Sequence, residues 1–273
     1  MDIFGILDLS AMSAALIYGI TKAADHATFN NSESLTWTGI GVLLLIAYIL
    51  YDRYKGHKTV LPLTIFSHRS FKASSVGLFF ANIAIMGPMI ILPLFFQNFR
   101  HFSAMEAAIA LIPQGVGMLV TRPLIGKMID QLGAKYVVIV SLVISLVGTI
   151  PLLFVTDQTN MIWIALILFI RGTSFGGINL PLTSDAYTGL ADEELPDAGV
   201  GINIIENLGS SVGSAMIATV VATVLQGAQP TVAHELAAYH AGFLVSVVVL
   251  ALIFLPSLFL TNKTTASADK HTI

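Results

Sequence analysis

Eight long apolar runs constrain this chain of 273 residues more than any other feature. Each is close to the ~20 residues that an α-helix needs to cross a bilayer, and none alternates with the period of two typical of a barrel strand. They lie at about 3–22, 37–54, 73–96, 104–122, 135–156, 160–183, 199–225 and 241–260. With only 11% charged residues, the chain cannot cover a soluble globule with polar surface. The sequence therefore predicts an all-α membrane protein with about eight transmembrane helices.

The lysines and arginines are distributed unevenly between the two sides of these spans. One side carries Arg53, Lys55, Lys58, Arg69, Lys72, Arg122, Lys127, Lys135, Lys263 and Lys270. The opposite side carries only Lys22 and Arg100. The positive-inside rule predicts a multi-pass protein of the plasma membrane with both termini in the cytoplasm. Because the cations are dispersed over several loops instead of forming one stripe, they give no indication of nucleic-acid binding.

A charged segment separates the fourth and fifth predicted spans, at residues 122–135. Its characteristic residues are Gly126, Lys127, Asp130, Gly133 and Lys135. Since such charges do not belong in the hydrocarbon, the pattern predicts a short turn at a membrane face. We expect Gly126 and Gly133 to allow a tight turn and a close helix approach. We expect Asp130 to cap the fifth helix or to offset the neighbouring cations.

This segment resembles the Gly-x-Leu-x-Asp-Arg-x-Gly-Arg-Lys loop motif of the major facilitator superfamily, in the copy found in the C-terminal half. Three other stretches indicate which family within the superfamily the chain resembles. They are Leu-Pro-Leu-Phe-Phe-Gln at 92–97, Leu-Ile-Pro-Gln-Gly-Val-Gly at 111–117 and Asp-Ala-Gly-Val-Gly-Ile-Asn at 197–203. They are similar to stretches of the EmrB/QacA-type drug:proton antiporters, which have 14 helices. The resemblance runs over nearly the whole chain but covers only the second half of that family.

The resemblance implies a division of the chain into four parts. Residues 1–56 would be two additional transmembrane helices that precede the C-terminal half, and residues 57–72 a basic cytoplasmic linker. Residues 73–260 would be the six-helix C-terminal transporter bundle, and residues 261–273 a cytoplasmic tail. The polar, basic linker is also the clearest domain boundary in the sequence itself.

Two ionisable residues lie inside predicted spans, where a charge near the bilayer centre costs at least ~2.5 kcal/mol. They are Arg171 in the sixth span and Glu206 in the seventh. Glu206 could bind a proton. Arg171 and a bound cation would lower its affinity for that proton, and this would couple export to a proton gradient. A structural ion pair that only joins two helices is the alternative, and the sequence leaves both open. The resembling family often has a basic residue where Glu206 stands, so the resemblance implies no inherited role for it.

Helical spacing places further polar residues beside these two. The residues that share a face are Arg171, Phe175 and Asn179 on the sixth helix, and Asn203, Glu206, Ser210 and Gly213 on the seventh. Each set could form a wall of a water-lined cavity. By resemblance, Asn82, Gln97 and Gln114 are further candidate polar groups of that cavity. Phe175 and several methionines could supply an adaptable apolar surface, with ordinary packing as the alternative interpretation.

The leading hypothesis is that the chain forms part of a secondary active transporter that exports hydrophobic or cationic drugs by proton antiport. Alternating access moves one six-helix half against another, so we expect this fragment to be inactive alone. Its partners would be the lipid bilayer, small hydrophobic or cationic solutes, protons and a missing N-terminal half. One alternative is a truncated, non-transporting membrane protein or a half that needs a partner. Another is a facilitator of a different small solute.

Enzymatic function is not predicted. We find no nucleophile elbow, phosphate loop or pair of catalytic carboxylates. The chain has no cysteine, and its histidines give no convincing metal-ligand spacing. We therefore expect no catalytic residue, cofactor or metal.

Overall fold

The structure, a computed structural model, describes residues 2–26, 28, 30–226 and 231–261. Within these ranges it contains α-helices, short 3-10 turns and one π turn, and no strand. The helices are α1 (Ile3–Asp25), α2 (Ser32–Tyr54), α3 (Arg69–Leu94), α4 (Ala104–Leu132), α5 (Ala134–Thr149), α6 (Met161–Ala186), α7 (Leu195–Gln226), α8 (Val232–Leu252) and the short α9 (Phe254–Ser257). Helices α1 to α8 provide eight spans long and apolar enough to cross a bilayer, which confirms the predicted fold class. The predicted tail, apart from Thr261, lies outside the described residues.

Polar side chains determine where several helices begin. The first amides of a helix lack intrahelical partners, and a side-chain oxygen at the preceding residue can accept from them. Asn31 accepts from the amide of Glu33 at 3.0 Å, Asn160 from Ile162 at 2.8 Å, and Thr231 from His234 at 3.3 Å. The helices consequently extend beyond the predicted apolar runs: α8 begins at Val232 instead of about 241. Hydropathy marks the part inside the hydrocarbon, whereas the caps mark the helix ends.

The segment 122–135 is not the predicted turn. Helix α4 continues through Arg122 to Leu132, and the chain breaks only at Gly133, which has a φ of 83°. A helix can leave the hydrocarbon without breaking, because its backbone hydrogen bonds stay satisfied while its charged side chains reach water. Gly126 is therefore an ordinary helical residue with open space beside it, whereas Gly133 makes the turn. Helix α5 begins directly after Gly133, which has no side chain to cap it, and the role expected of Asp130 stays a prediction.

Helices α3 and α6 form the centre of the bundle, and α2 and α4 lie at its outside. In the most apolar stretch of each span, about 61% of α3 and 56% of α6 is buried inside the protein, against 17% of α2 and 17% of α4. One apolar cluster, around Leu78, Leu142 and Leu182, fills one end of the bundle. A second cluster, around Phe95 and Phe243, fills the other end. Helices α1 and α2 form a hairpin that packs on α7 through α1.

The segment between α2 and α3 is folded onto the α1–α2 hairpin. Asp52 is fully buried and accepts from Thr59 Oγ1 at 2.5 Å and from the amide of Leu63 at 3.2 Å, with His57 Nδ1 also 2.5 Å away. A 3-10 turn follows at Leu63–Ser67, and α3 then starts at Arg69, four residues before the predicted boundary at 73. The division into four parts stays a prediction, but this segment is an anchored connection and not an extended tether.

Candidate functional site

A cavity of about 550 Å³ opens between α3, α4, α6 and α7. Its volume lies in the range of sites that hold drug-sized molecules. The polar residues that line it are Gln114, Arg122, Asn179, Thr183 and Glu206. The larger apolar residues that line it are Ile85, Met86, Met89, Leu92, Leu111, Met118, Phe175 and Leu180. Of the predicted site residues, the structure thus brings Gln114, Phe175, Asn179 and Glu206 together around one space.

A close crossing of α4 and α6 builds one side of this cavity. Gly172 lies directly against the backbone of Gln114, where a methyl group would overlap the carbonyl of that residue. Gly117 lies in the same way against the backbone of Phe169. Glycine at both positions allows the two backbones to touch, as small residues commonly do between membrane helices. The crossing places the Gln114 side chain beside Arg171.

Arg171 lies behind the cavity wall and is almost completely buried, with 1% of its surface exposed. Its Nη1 donates to Gln114 Oε1 at 3.1 Å, and its Nη2 reaches the carbonyl of Ala84 at 3.5 Å. The guanidinium also lies over the ring of Phe175, 4.8 Å from the ring centroid. Its Nε has no hydrogen-bond partner among the described residues. Arg171 therefore supports the two side chains, Gln114 and Phe175, that face the cavity.

Arg171 and Glu206 do not form an ion pair. No carboxylate of the described residues lies within 4.0 Å of the guanidinium, and Glu206 lines the cavity from α7. The guanidinium is instead engaged by an amide oxygen and an aromatic face. The structural ion pair, one of the two sequence interpretations, is thus not formed in this structure.

Two residues that line the cavity, Glu206 and Asn179, have a side-chain oxygen with no hydrogen-bond partner shown in the described part of the chain. Glu206 is half-buried and is the one acid among the described lining residues. Asn179 Oδ1 is buried and has no partner in the described part of the chain. An unpaired buried acceptor is costly, so it favours a bound donor or water at this position. Glu206 therefore offers a negative charge to a bound cation with an apolar body, while Arg122 adds a positive charge to the same lining.

Three other predicted residues lie outside this cavity. Asn82 is buried between α3 and α7, donates to the carbonyl of Leu78 at 2.9 Å and contacts Ser210 Oγ at 3.5 Å. Asn203 donates to the carbonyl of Gly199 and lines a separate groove against α1. Gln97 is exposed in the π turn Phe95–Phe99 that follows α3. Asn203 and Glu206 are close on the helical wheel, but they line different spaces. Asn203 lies in the groove between α7 and α1, whereas Glu206 lies in the cavity.

Of the α4 residues that line the cavity, sequence reasoning named only Gln114 as a cavity residue. Gln114, Met118 and Arg122 follow i, i+4 and i+8, and all three line the cavity. All three lie within the predicted span 104–122, so helical spacing from Gln114 could have identified Met118 and Arg122. The motif residue Lys135 lies elsewhere: its Nζ donates to the carbonyl of Leu258 at 2.9 Å and so connects the start of α5 with the end of α9. Lys127 and Asp130 lie on the last two turns of α4, near Gly133.

The amino-acid sequence is similar to one protein family and to several of its members. The sequence model of the Major Facilitator Superfamily matches residues 3–214. A Multidrug resistance protein B homolog of Mycobacterium tuberculosis is 24% identical over 79% of this chain and 40% of its own length. An Uncharacterized MFS-type transporter YcnB of Bacillus subtilis is 25% identical over 99% of this chain and 57% of its own. The Probable multidrug resistance protein EmrY of Escherichia coli is 26% identical over 73% of this chain and 39% of its own length. The chain thus spans about half the length of these relatives or less.

Proposed function

Because this chain belongs to the major facilitator superfamily, we propose that it forms the C-terminal, drug-binding half of a transporter that exports hydrophobic cations in exchange for protons. The observation that carries the proposal is the position of Glu206. It is the one carboxylate among the described lining residues of a cavity whose walls are mainly methionine, leucine and phenylalanine. The names of two of the relatives refer to multidrug resistance, which supports drugs as the substrates.

Glu206 would bind either a proton or the cationic group of the substrate. A lipophilic cation gains from the carboxylate and from the apolar walls together, and the three methionines can adapt to molecules of different shape. A proton that binds Glu206 removes the charge that holds the cation. Exchange of one for the other would couple proton entry to drug release.

Arg171, Gln114 and Asn179 would prepare the site for this exchange. Arg171 fixes Gln114 and Phe175 through the hydrogen bond and the ring contact described above. Asn179 lines the cavity, and its Oδ1, buried without a partner in this structure, would accept from an N–H group of the substrate after its side chain turns toward the cavity. Asn82, Asn203 and Gln97 have no part in the proposal, because they lie outside the cavity.

A complete transport cycle would require a second helical half. Within the described chain, the cavity is lined by α3, α4, α6 and α7, which all belong to the proposed C-terminal half. Alternating access in this superfamily moves two halves around a site between them. We place the transporter in the plasma membrane with both termini in the cytoplasm, as the distribution of lysine and arginine predicts. The mainly apolar lining argues against a sugar facilitator.

Binding of tetraphenylphosphonium, a lipophilic cation without hydrogen-bond donors, tests the proposal on the purified chain. We expect Glu206→Gln to raise its Kd about tenfold or more, because a charged contact in a partly buried site is lost. Glu193→Gln is the matched control: it removes the same charge at an exposed position outside the cavity. Lowering the pH should weaken binding to the parent chain and leave Glu206→Gln unaffected. Equal affinities of the two variants, or pH-independent binding, would contradict the role of Glu206.

A further inference from the structure

A second groove, of about 620 Å³, lies outside the transport cavity, between the start of α3 and the end of α8 with α9. Its residues form two facing stripes. On α3 they are Arg69, Lys72, Ala73, Val76 and Phe80, and on the opposite wall Leu252, Leu255, Pro256 and Phe259, with Ser67 at the entrance. Both stripes follow the three-four spacing of one helix face.

The groove combines a cationic entrance with an apolar interior. Arg69 and Lys72 are exposed and lie one turn apart at the beginning of α3. Neither lies within 4.0 Å of a carboxylate in the described ranges; Glu194, which approaches this segment, pairs with His68 at 3.6 Å. Deeper in the groove, Val76 and Leu255 expose 44% and 61% of their surface. The positive charge at the entrance thus remains available to a ligand, and the walls below it are available to an apolar group.

The dimensions of the groove match one leaflet of a bilayer. From Arg69 to Phe80, α3 rises by about 16 Å at 1.5 Å per residue. Half of a hydrocarbon core of ~30 Å is about 15 Å. The cations therefore lie at the level of the lipid head groups when Phe80 lies near the bilayer centre.

We propose that this groove binds an anionic glycerophospholipid, with its phosphate between Arg69 and Lys72 and one acyl chain between α3 and the wall formed by the end of α8 with α9. Basic pockets between membrane helices on the cytoplasmic side are suited to anionic head groups. Arg69 is oriented for this role, since its guanidinium lies over the ring of Phe259 at 5.5 Å and its N–H groups can still reach a phosphate. A water-soluble anion would use the cations but not the apolar walls below them, which follow α3 for about 10 Å from Ala73 to Phe80. This lipid site is independent of the proposed transport activity.

Native mass spectrometry of the chain purified from vesicles of phosphatidylcholine and phosphatidylglycerol tests this proposal. We expect the parent chain to retain phosphatidylglycerol in preference to phosphatidylcholine. In the double variant Arg69→Gln/Lys72→Gln, the preference for phosphatidylglycerol over phosphatidylcholine should fall about fivefold for each cation removed. Arg53→Gln/Lys58→Gln is the matched control, because it removes one exposed arginine and one exposed lysine from the preceding basic segment, outside the groove. An equal loss in both double variants would overturn the site.

A second pair of variants tests the apolar part of the groove. Val76→Trp fills the acyl position and should reduce lipid retention, whereas Val147→Trp, at an exposed valine of α5 outside the groove, should not. Glycerol phosphate serves as the head-group probe without acyl chains. If it binds as tightly as phosphatidylglycerol, or if both tryptophan variants retain lipid equally, the groove is an anion site and the lipid proposal is wrong. Size-exclusion chromatography of each variant establishes that it is folded before lipids are counted.

Discussion

The hydrogen bond between Arg171 and Gln114 should be the polar contact that stabilises the α4–α6 crossing. The direct perturbation is Gln114→Leu, which keeps the size of the side chain and removes the acceptor. It leaves Nη1 of an almost fully buried guanidinium without its 3.1 Å partner. Hydrogen bonds to charged groups contribute about 1.5–3 kcal/mol, so we expect the free energy of unfolding to fall by that amount.

Arg171→Met provides the second side of the thermodynamic cycle. It removes a buried charge that has no carboxylate within 4.0 Å in the described chain, and methionine can fill a similar volume. The loss of the contact with Phe175, about 2 kcal/mol for a desolvated cation–π pair, opposes the gain from removing that charge. We expect Arg171→Met to be no more destabilising than Gln114→Leu. Adding Gln114→Leu to Arg171→Met should then cost little, because the acceptor no longer has a donor to satisfy.

The expected coupling between Arg171 and Gln114 is therefore about 1.5–3 kcal/mol. It can be measured by titrating the purified variants in mixed micelles with sodium dodecyl sulfate and following helicity and tryptophan fluorescence. A parallel cycle with Arg171→Met and Glu206→Gln should give a smaller coupling, because these residues form no ion pair. Additivity of Arg171→Met and Gln114→Leu within about 0.5 kcal/mol would refute this account of the crossing.

Three further outcomes are expected. Single cysteines at Lys58 and Ser32, in a chain without native cysteine, should label from opposite sides of the membrane; labelling at 58 by an impermeant reagent in intact cells would reverse the topology. Gly172→Ala should cost about 1–3 kcal/mol in the same micelle titration, since a methyl group overlaps the Gln114 backbone, whereas Gly39→Ala, in open space, should be neutral or stabilising. Residues 1–273 expressed alone in a host without its own drug pumps should give no dye efflux above the empty vector. Proton-dependent efflux that Glu206→Gln abolishes would show that a second half is unnecessary.

The fold was largely predictable because span length and apolar content are properties of local sequence. The eight spans and the superfamily are confirmed, and the loop motif contributed to that assignment even though most of it is helical. The α4 boundary was wrong because charges at residues 122–132 were taken to end a helix. Charge ends the hydrocarbon-embedded part of a helix, but the backbone stops only where a residue such as Gly133 leaves the helical conformation.

The candidate site was predictable only as far as helical periodicity extends. Spacing correctly placed Phe175 and Asn179 on one face of α6, and both line the cavity. It could not decide whether Glu206 or Gln114 would meet Arg171, because that depends on how two helices cross. The crossing is determined by the close approach at Gly117 and Gly172, which involves residues 55 positions apart in the chain. A glycine in a membrane helix marks a place where another backbone can approach closely, but local patterns do not identify which helix does so.

The single-residue connection between α4 and α5 limits how these helices can move. Leu132 ends α4 and Ala134 begins α5, so the facing helix ends cannot be more than about 7 Å apart even with Gly133 fully extended. By contrast, fourteen residues, 55–68, connect α2 with α3. The short connection therefore restricts sliding of α4 along α5 and makes Gly133 a pivot for changes of tilt, with Pro123 as a second point within α4 where the helix can bend. One or two residues inserted beside Gly133 would loosen this connection between the two helices.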